Sequence, residues 1–218
     1  MKRVFVVPLL SAAAALVPAC SDDHGSGGGG SAALLSDDFN RSSTGSDWHV
    51  HAGNGSAGID DTQGNPQPAM RMSVSEGNSA VTAHSEMSFS GRPLTIIVDL
   101  QAATAGEASG GVEIVNASHV PLASAEGLAA AGGDMTFKIG GATQDVSLAS
   151  TPSGFQRVTF TVDAAGNAAW SLGDTVVMTQ PGFPAGPVSV QLFTRSGTGV
   201  PGSAFPTFLF DNVSVTSP

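Results

Sequence analysis

Phe155-Gln156-Arg157-Val158-Thr159-Phe160-Thr161-Val162-Asp163 alternates polar and apolar side chains, turns through Ala164-Ala165-Gly166, and resumes as Asn167-Ala168-Ala169-Trp170-Ser171-Leu172. A period of two is the repeat of a strand with one buried face, because successive Cβ atoms point to opposite sides. Asp163, Gly166 and Asn167 carry the turn chemistry that closes two such runs into a hairpin. The same alternation recurs in Leu94, Ile96, Val98 and Leu100 against Thr95, Ile97, Asp99 and Gln101, and again in Val188, Val190 and Leu192. Ile139-Gly140-Gly141 and Gly173-Asp174 mark further turns. Only Ala123 to Ala131 has the composition of a helix, kept short by Gly127 and Gly132-Gly133. The expectation is an all-β chain, a two-sheet antiparallel β-sandwich.

The first residues tell a different story. Lys2-Arg3, an apolar run from Val4 to Leu16 and the small residue Ala19 make a secretory signal peptide over residues 1–19. As a membrane span, sixteen apolar residues would reach roughly 24 Å, short of a hydrocarbon core of about 30 Å, and Pro8 and Pro18 interrupt the helix. Val17-Pro18-Ala19-Cys20 resembles the lipobox of bacterial lipoproteins, and Cys20 is the single cysteine of the chain. That resemblance implies cleavage before Cys20 and acylation of its sulfur, with the lipid bilayer as partner. At about 0.8 kcal/mol per buried methylene, several acyl chains anchor stably where one does not. Residues 20–33 follow as a Gly/Ser-rich linker with a reach of roughly 20 Å. In lipoproteins of this kind an Asp directly after the cysteine tends to retain the protein in the inner membrane; Ser21 stands there, which favours the outer membrane within the cell envelope.

Residues 34–218 remain for one domain, long enough to bury roughly 70% of its unfolded surface. Without residues 1–19 the chain has six Lys and Arg against eighteen Asp and Glu, a formal charge of −12, and Lys138 is its only lysine. Such a surface cannot neutralise a run of phosphates, which excludes nucleic acid and anionic headgroups as electrostatic partners.

Ser36-Asp37-Asp38-Phe39-Asn40-Arg41 followed by Trp48 resembles the opening strand of bacterial concanavalin A-like (laminin G-like) jelly rolls. Phe210-Asp211-Asn212-Val213-Ser214-Val215 resembles their closing strand, and the hairpin at 155–172 one that many of them carry. The resemblance implies two packed antiparallel sheets with the first and last strands adjacent. Its glucan-cleaving branch places carboxylates on one strand as Glu-x-Asp-x-Glu or Glu-x-Asp-x-x-Glu. Neither pattern is present. Glu76, Glu86, Glu107, Glu113 and Glu126 stand alone, with Glu113 the nearest candidate, and nucleophile-elbow and P-loop patterns are absent.

The reading is therefore a non-catalytic envelope lipoprotein that binds carbohydrate or acts in adhesion. A divergent glycoside hydrolase is the alternative, which requires two carboxylates within about 10 Å in the concave face. A structural envelope protein without a small ligand is the third reading. Trp48 and Trp170 share parity with Val50 and Leu172, so both belong to the core rather than to a sugar platform. His49 and His51 share one strand face; they form a metal site only if His84 or Glu86 adds a third ligand, and are otherwise the wet side of that strand. Asp211 shares parity with Leu209, Val213 and Val215, which would turn an acid inward. Either a bulge rotates it out, or a structural calcium held with Asp38, as the resemblance implies, satisfies it.

Overall fold

The computed structural model describes residues 32–89, 92–104, 108–128, 134–148, 154–196 and 207–217. Residues 1–31, with Cys20 and most of the linker, lie outside the described residues, as does Glu107. Fifteen strands follow in chain order: β1 (Ala32–Asp37), β2 (Trp48–His51), β3 (Gly55–Asp60), β4 (Ala69–Val74), β5 (Ala80–Ser85), β6 (Leu94–Ala102), β7 (Ala108–Asn116), β8 (Pro121–Leu128), β9 (Asp134–Ile139), β10 (Ala142–Ser147), β11 (Gln156–Val162), β12 (Ala168–Leu172), β13 (Thr175–Gln180), β14 (Val188–Ser196) and β15 (Thr207–Ser217). The described residues contain no α-helix.

Two antiparallel sheets make the sandwich. One runs β13-β12-β11-β6-β15-β4-β3 with β1 also on β15; the other runs β10-β9-β8-β7-β14-β5-β2. The decisive hairpin is β11–β12, Val158 opposite Leu172 and Phe160 opposite Trp170. Gly166 takes φ 86° at its turn, and Asp163 accepts the backbone N–H of Asn167 at 2.8 Å. Gly140 and Gly173, with φ 58° and 57°, turn β9 into β10 and β12 into β13. First and last strands lie side by side, Ser36 opposite Ser214.

One expectation is corrected. Residues 121–128 of the Ala/Gly-rich stretch are strand, with Ala123 and Ala125 buried against the core and Glu126 turned outward. Tertiary packing overrides helix propensity here, because small residues let β7 and β8 approach closely. A Cβ on Gly111 would stand 2.0 Å from the Ala125 carbonyl oxygen, and one on Gly110 would stand 2.3 Å from the Phe208 ring.

Both tryptophans are buried and each joins the two sheets. Trp48 on β2 donates its indole N–H to Asp37 of β1 at 2.6 Å; Trp170 on β12 donates to the Lys138 carbonyl of β9 at 3.0 Å. Burying each ring contributes about 3 kcal/mol, and the hydrogen bond keeps the indole nitrogen satisfied inside. Asp37 also accepts Arg41 Nη1 at 2.9 Å and the Phe39 N–H at 2.8 Å, so one buried carboxylate ties β1, its following turn and β2 together.

Candidate functional site

The outward face of the seven-stranded sheet carries one continuous polar row. His49 on β2 stands opposite His84 on β5, His84 opposite Gln191 on β14, and Gln191 opposite Glu113 on β7. Glu113 faces Ser124 on β8, Ser124 faces Lys138 on β9, and Lys138 faces Thr143 on β10. With strands about 4.8 Å apart, this row crosses roughly 29 Å. A second row, two residues along, reads His51, Thr82, Phe193, Gly111, Glu126, Thr136 and Asp145.

Alternation places these side chains outward, since their neighbours Val81, Ala83, Val112, Ile114, Val190 and Leu192 fill the core. Exposure nevertheless falls toward the middle. Glu113 is 6% exposed, Ser124 5% and Phe193 2%, while His49, His51, Lys138, Thr143 and Asp145 at the sides are exposed. We refer to this row as the trough and to its covered middle as the floor.

Arg195 on β14 occupies that floor. Its Nε donates to Glu126 Oε1 at 3.1 Å, its Nη2 pairs with Glu126 Oε2, and its Nη1 lies 3.4 Å from Glu113 Oε1. The guanidinium carbon sits 4.4 Å from the centroid of the Phe193 ring, a cation–π contact. Ser109 Oγ donates to Glu126 Oε1 at 2.5 Å, and Gln191 Nε2 donates to Glu113 Oε2 at 2.8 Å. Glu113 and Glu126 are diagonal neighbours on antiparallel strands, a relation that sets their backbones about 7–8 Å apart.

The two carboxyls titrate in opposite directions. Burial pushes Glu113 up from its ordinary value, with Arg195 and Gln191 only partly offsetting it. Burial also pushes on Glu126, but hydrogen bonds from Arg195 and Ser109 and the Arg195 charge outweigh it and hold Glu126 below its ordinary value. Two carboxyls with opposed proton affinities are the arrangement that acid and base roles require. One guanidinium touches both carboxyls, which keeps them within the distance of about 10 Å that a glycoside hydrolase reading requires.

Sequence reading reached Glu113 but not its partners. A search for acids on one strand cannot see a pair made across two. The available signal was the outward parity of Glu126 with Ser124, which only a strand reading of residues 121–128 exposes.

At the row's β2 end, His49, His84 and Glu86 converge, their ligand atoms within 4.8 Å of one another. His51, the other half of the expected pair, stands opposite Thr82 instead. Burial lowers the His84 pKa from its ordinary value, with help from His119 and His49.

Asp211 lies on the other sheet, and its burial has a backbone cause. The register of β15 shifts between Asp211 and Ser214, and Asn212 takes φ 49°. Phe208 and Phe210 face the core before this bulge, Val213 and Val215 after it, so Asp211 turns out of the apolar layer. It is still fully buried, accepting N–H groups from Asn65 at 2.5 Å and Asn212 at 2.7 Å. Burial raises its pKa, and the charges of Asp99 and Asp38 add to the rise. Asp38 is exposed and accepts the Asn40 N–H at 3.0 Å. Oxygen donors of the kind calcium takes are present at Asp211, Asp99 and Asp38, and Asp211 already accepts two backbone N–H groups.

No protein-family model matches the chain, and no curated protein matches it. Solved structures do. The apo Crh5 transglycosylase superposes with a TM-score of 0.64 at 17% identity, covering 84% of this chain and 83% of that one. A prokaryotic β-1,3-1,4-glucanase (lichenase) derived from a mouse hindgut metagenome gives 0.63 at 14% identity, over 84% of this chain and 98% of the other. The carbohydrate recognition domain of Emp47p gives 0.61 at 9% identity, over 84% and 94%. The expectation of a chain without enzymatic activity is overturned here: it rested on missing single-strand patterns, while the fold is shared with glucanases and a transglycosylase and a carboxylate pair lies across β7 and β8. The chain has the fold of the concanavalin A-like jelly rolls.

Proposed function

We propose that this protein is an envelope lipoprotein whose jelly roll acts on polysaccharide, with a glycan lying along the trough from His84 to Lys138. The observation that carries the reading is the uninterrupted outward row across all seven strands, with the partly exposed Gln191 and Arg195 standing over the buried Glu113 and Ser124 as donors and acceptors. Sugar hydroxyls both donate and accept, so a floor mixing carboxylate, amide, hydroxyl and guanidinium matches them, with the buried Phe193 ring backing the Arg195 guanidinium. Solved structures with the same fold include a Crh5 transglycosylase in complex with NAG and a LamA variant with laminaritriose and laminaritetraose, which supports a glycan as the ligand class.

Cleavage or transfer of the bound chain is the further step that Glu113 and Glu126 favour. Glu113, biased toward its protonated form, would donate to the leaving oxygen, and Glu126, biased toward carboxylate, would act as nucleophile or base. Arg195 has to release one or both acids for this, so substrate entry and Arg195 displacement belong to one event. Residues 1–19 would be removed, Cys20 acylated and residues 20–33 would tether the domain. The test is a polysaccharide panel scored for binding and for new reducing ends, with Glu113→Gln and Glu126→Gln: binding retained and product lost in both variants supports the catalytic step. Absence of any saturable binding refutes the glycan reading.

A further inference from the structure

We propose that His49, His84 and Glu86 form a site for a divalent transition metal of the zinc class at the β2 end of the outward row.

Three chain segments build it. Antiparallel pairing of β2 and β5 sets His49 directly opposite His84, and both point outward because Trp48, Val50, Val81 and Ala83 take the inward positions. Their ring centroids are 4.8 Å apart. Glu86 leaves β5 in a turn fixed by its own N–H, which donates to the Asp47 carbonyl at 2.9 Å; this returns its side chain to His49, Oε1 at 3.3 Å from Nδ1. His119 arrives from the β7–β8 turn with φ 57°, its N–H on the Asn116 carbonyl at 2.9 Å, and meets His84 at 4.9 Å between centroids with the rings tilted by 59°. That contact limits rotation of the most enclosed ligand.

The geometry suits a small ion. Bonds of about 2.0–2.1 Å in a tetrahedral site put ligand atoms about 3.3–3.4 Å apart. His49 and Glu86 already stand at 3.3 Å, and the widest separation in the trio is 4.8 Å. The side chains of His49 and Glu86 are 60% and 51% exposed, so both can rotate to close that gap without disturbing the core. Two imidazoles and one carboxylate are the donor set of zinc, copper or nickel, whereas calcium and magnesium take oxygen ligands. Three protein ligands leave a fourth position for water or a ligand oxygen, and only Gln191 separates His84 from Glu113 in the row. The site stands on these residues and not on the glycan reading.

The experiment is equilibrium dialysis of the purified full chain against zinc chloride in a non-chelating buffer, with the metal content measured per chain. The parent is expected to retain one ion. His84→Ala and His49→Ala should weaken binding about tenfold or more, and His51→Ala, on the same strand face but outside the trio, should leave it unchanged. Cobalt substituted for zinc should give the visible absorption of a tetrahedral ion. Circular dichroism of each variant separates lost ligands from lost fold, and Glu86→Gln, exposed and unable to unfold the sheet, provides a second route to the same answer. No bound ion in the parent, or binding equally retained in His84→Ala and Glu86→Gln, overturns the proposal.

Discussion

Gln191 and Glu113 face each other directly across β14 and β7, the amide donating to the carboxylate at 2.8 Å. This contact joins the histidine end of the outward row to its acidic centre. It also leaves Glu113 with one oxygen on a neutral donor and the other 3.4 Å from Arg195, which is why burial, not the cation, decides its proton affinity.

Replacing Gln191 by Leu removes that donor while keeping the strand's bulk. A glycan that crosses the trough should lose about tenfold in affinity, equivalent to about 1.4 kcal/mol, the upper end of the range for one hydrogen bond between neutral groups. Isothermal titration with whichever polysaccharide the parent binds checks this, and unchanged affinity would move the ligand elsewhere.

Glu126→Ala strands Arg195 above the floor. A fully buried pair broken on one side costs about 3–5 kcal/mol, but Arg195 is 41% exposed and water can replace its partner, so about 1–2 kcal/mol is expected. The urea midpoint measures it.

The pH response separates the two acids. Glu113 has a folded pKa above its ordinary 4.5, so its contribution to stability is present below pH 4.5 and is lost as pH rises through the raised value. Glu126 has a folded pKa below 4.5, so its contribution is present above pH 4.5 and is lost as pH falls through the lowered value. Against the parent, Glu113→Gln should therefore gain relative stability as pH rises above 4.5, while Glu126→Gln should gain relative stability as pH falls below it. Both variants shifting in the same direction would contradict the assignment.

Gly110→Ala tests the packing beneath the trough. The new methyl would meet the Phe208 ring, itself 1% exposed and held in the core, at 2.3 Å, and overpacking of this kind costs about 1–3 kcal/mol. A melting temperature equal to the parent's would show that the two sheets are not packed as described.

Much of this fold was legible because strands announce themselves by parity. Val158, Phe160 and Val162 against Thr159 and Thr161 fix both the hairpin and its inward face, and the glycines at 140, 166 and 173 stand where positive φ closes a turn. Trp48 and Trp170 were placed in the core by the same rule. Parity also raised the question of Asp211, which leaves the apolar layer beside a bulge yet stays buried. The site was less legible, since Glu113, Glu126 and Arg195 come together through registers of three strands, and His49 meets His84 across 35 residues of sequence. Register is a property of pairing, and a single strand's sequence does not carry it. Residues 123–128 misled for a related reason: Ala and Gly favour close strand approach as readily as they suggest a short helix.

The most direct test is a titration of the purified full chain with β-glucans and related polysaccharides, in parallel with Arg195→Ala, Gln191→Leu and a control on the opposite sheet, Arg71→Ala. The account predicts saturable binding by the parent and Arg71→Ala, with affinity changed about tenfold or more by either trough substitution. Binding that is absent throughout, or that survives both trough substitutions untouched, would contradict it.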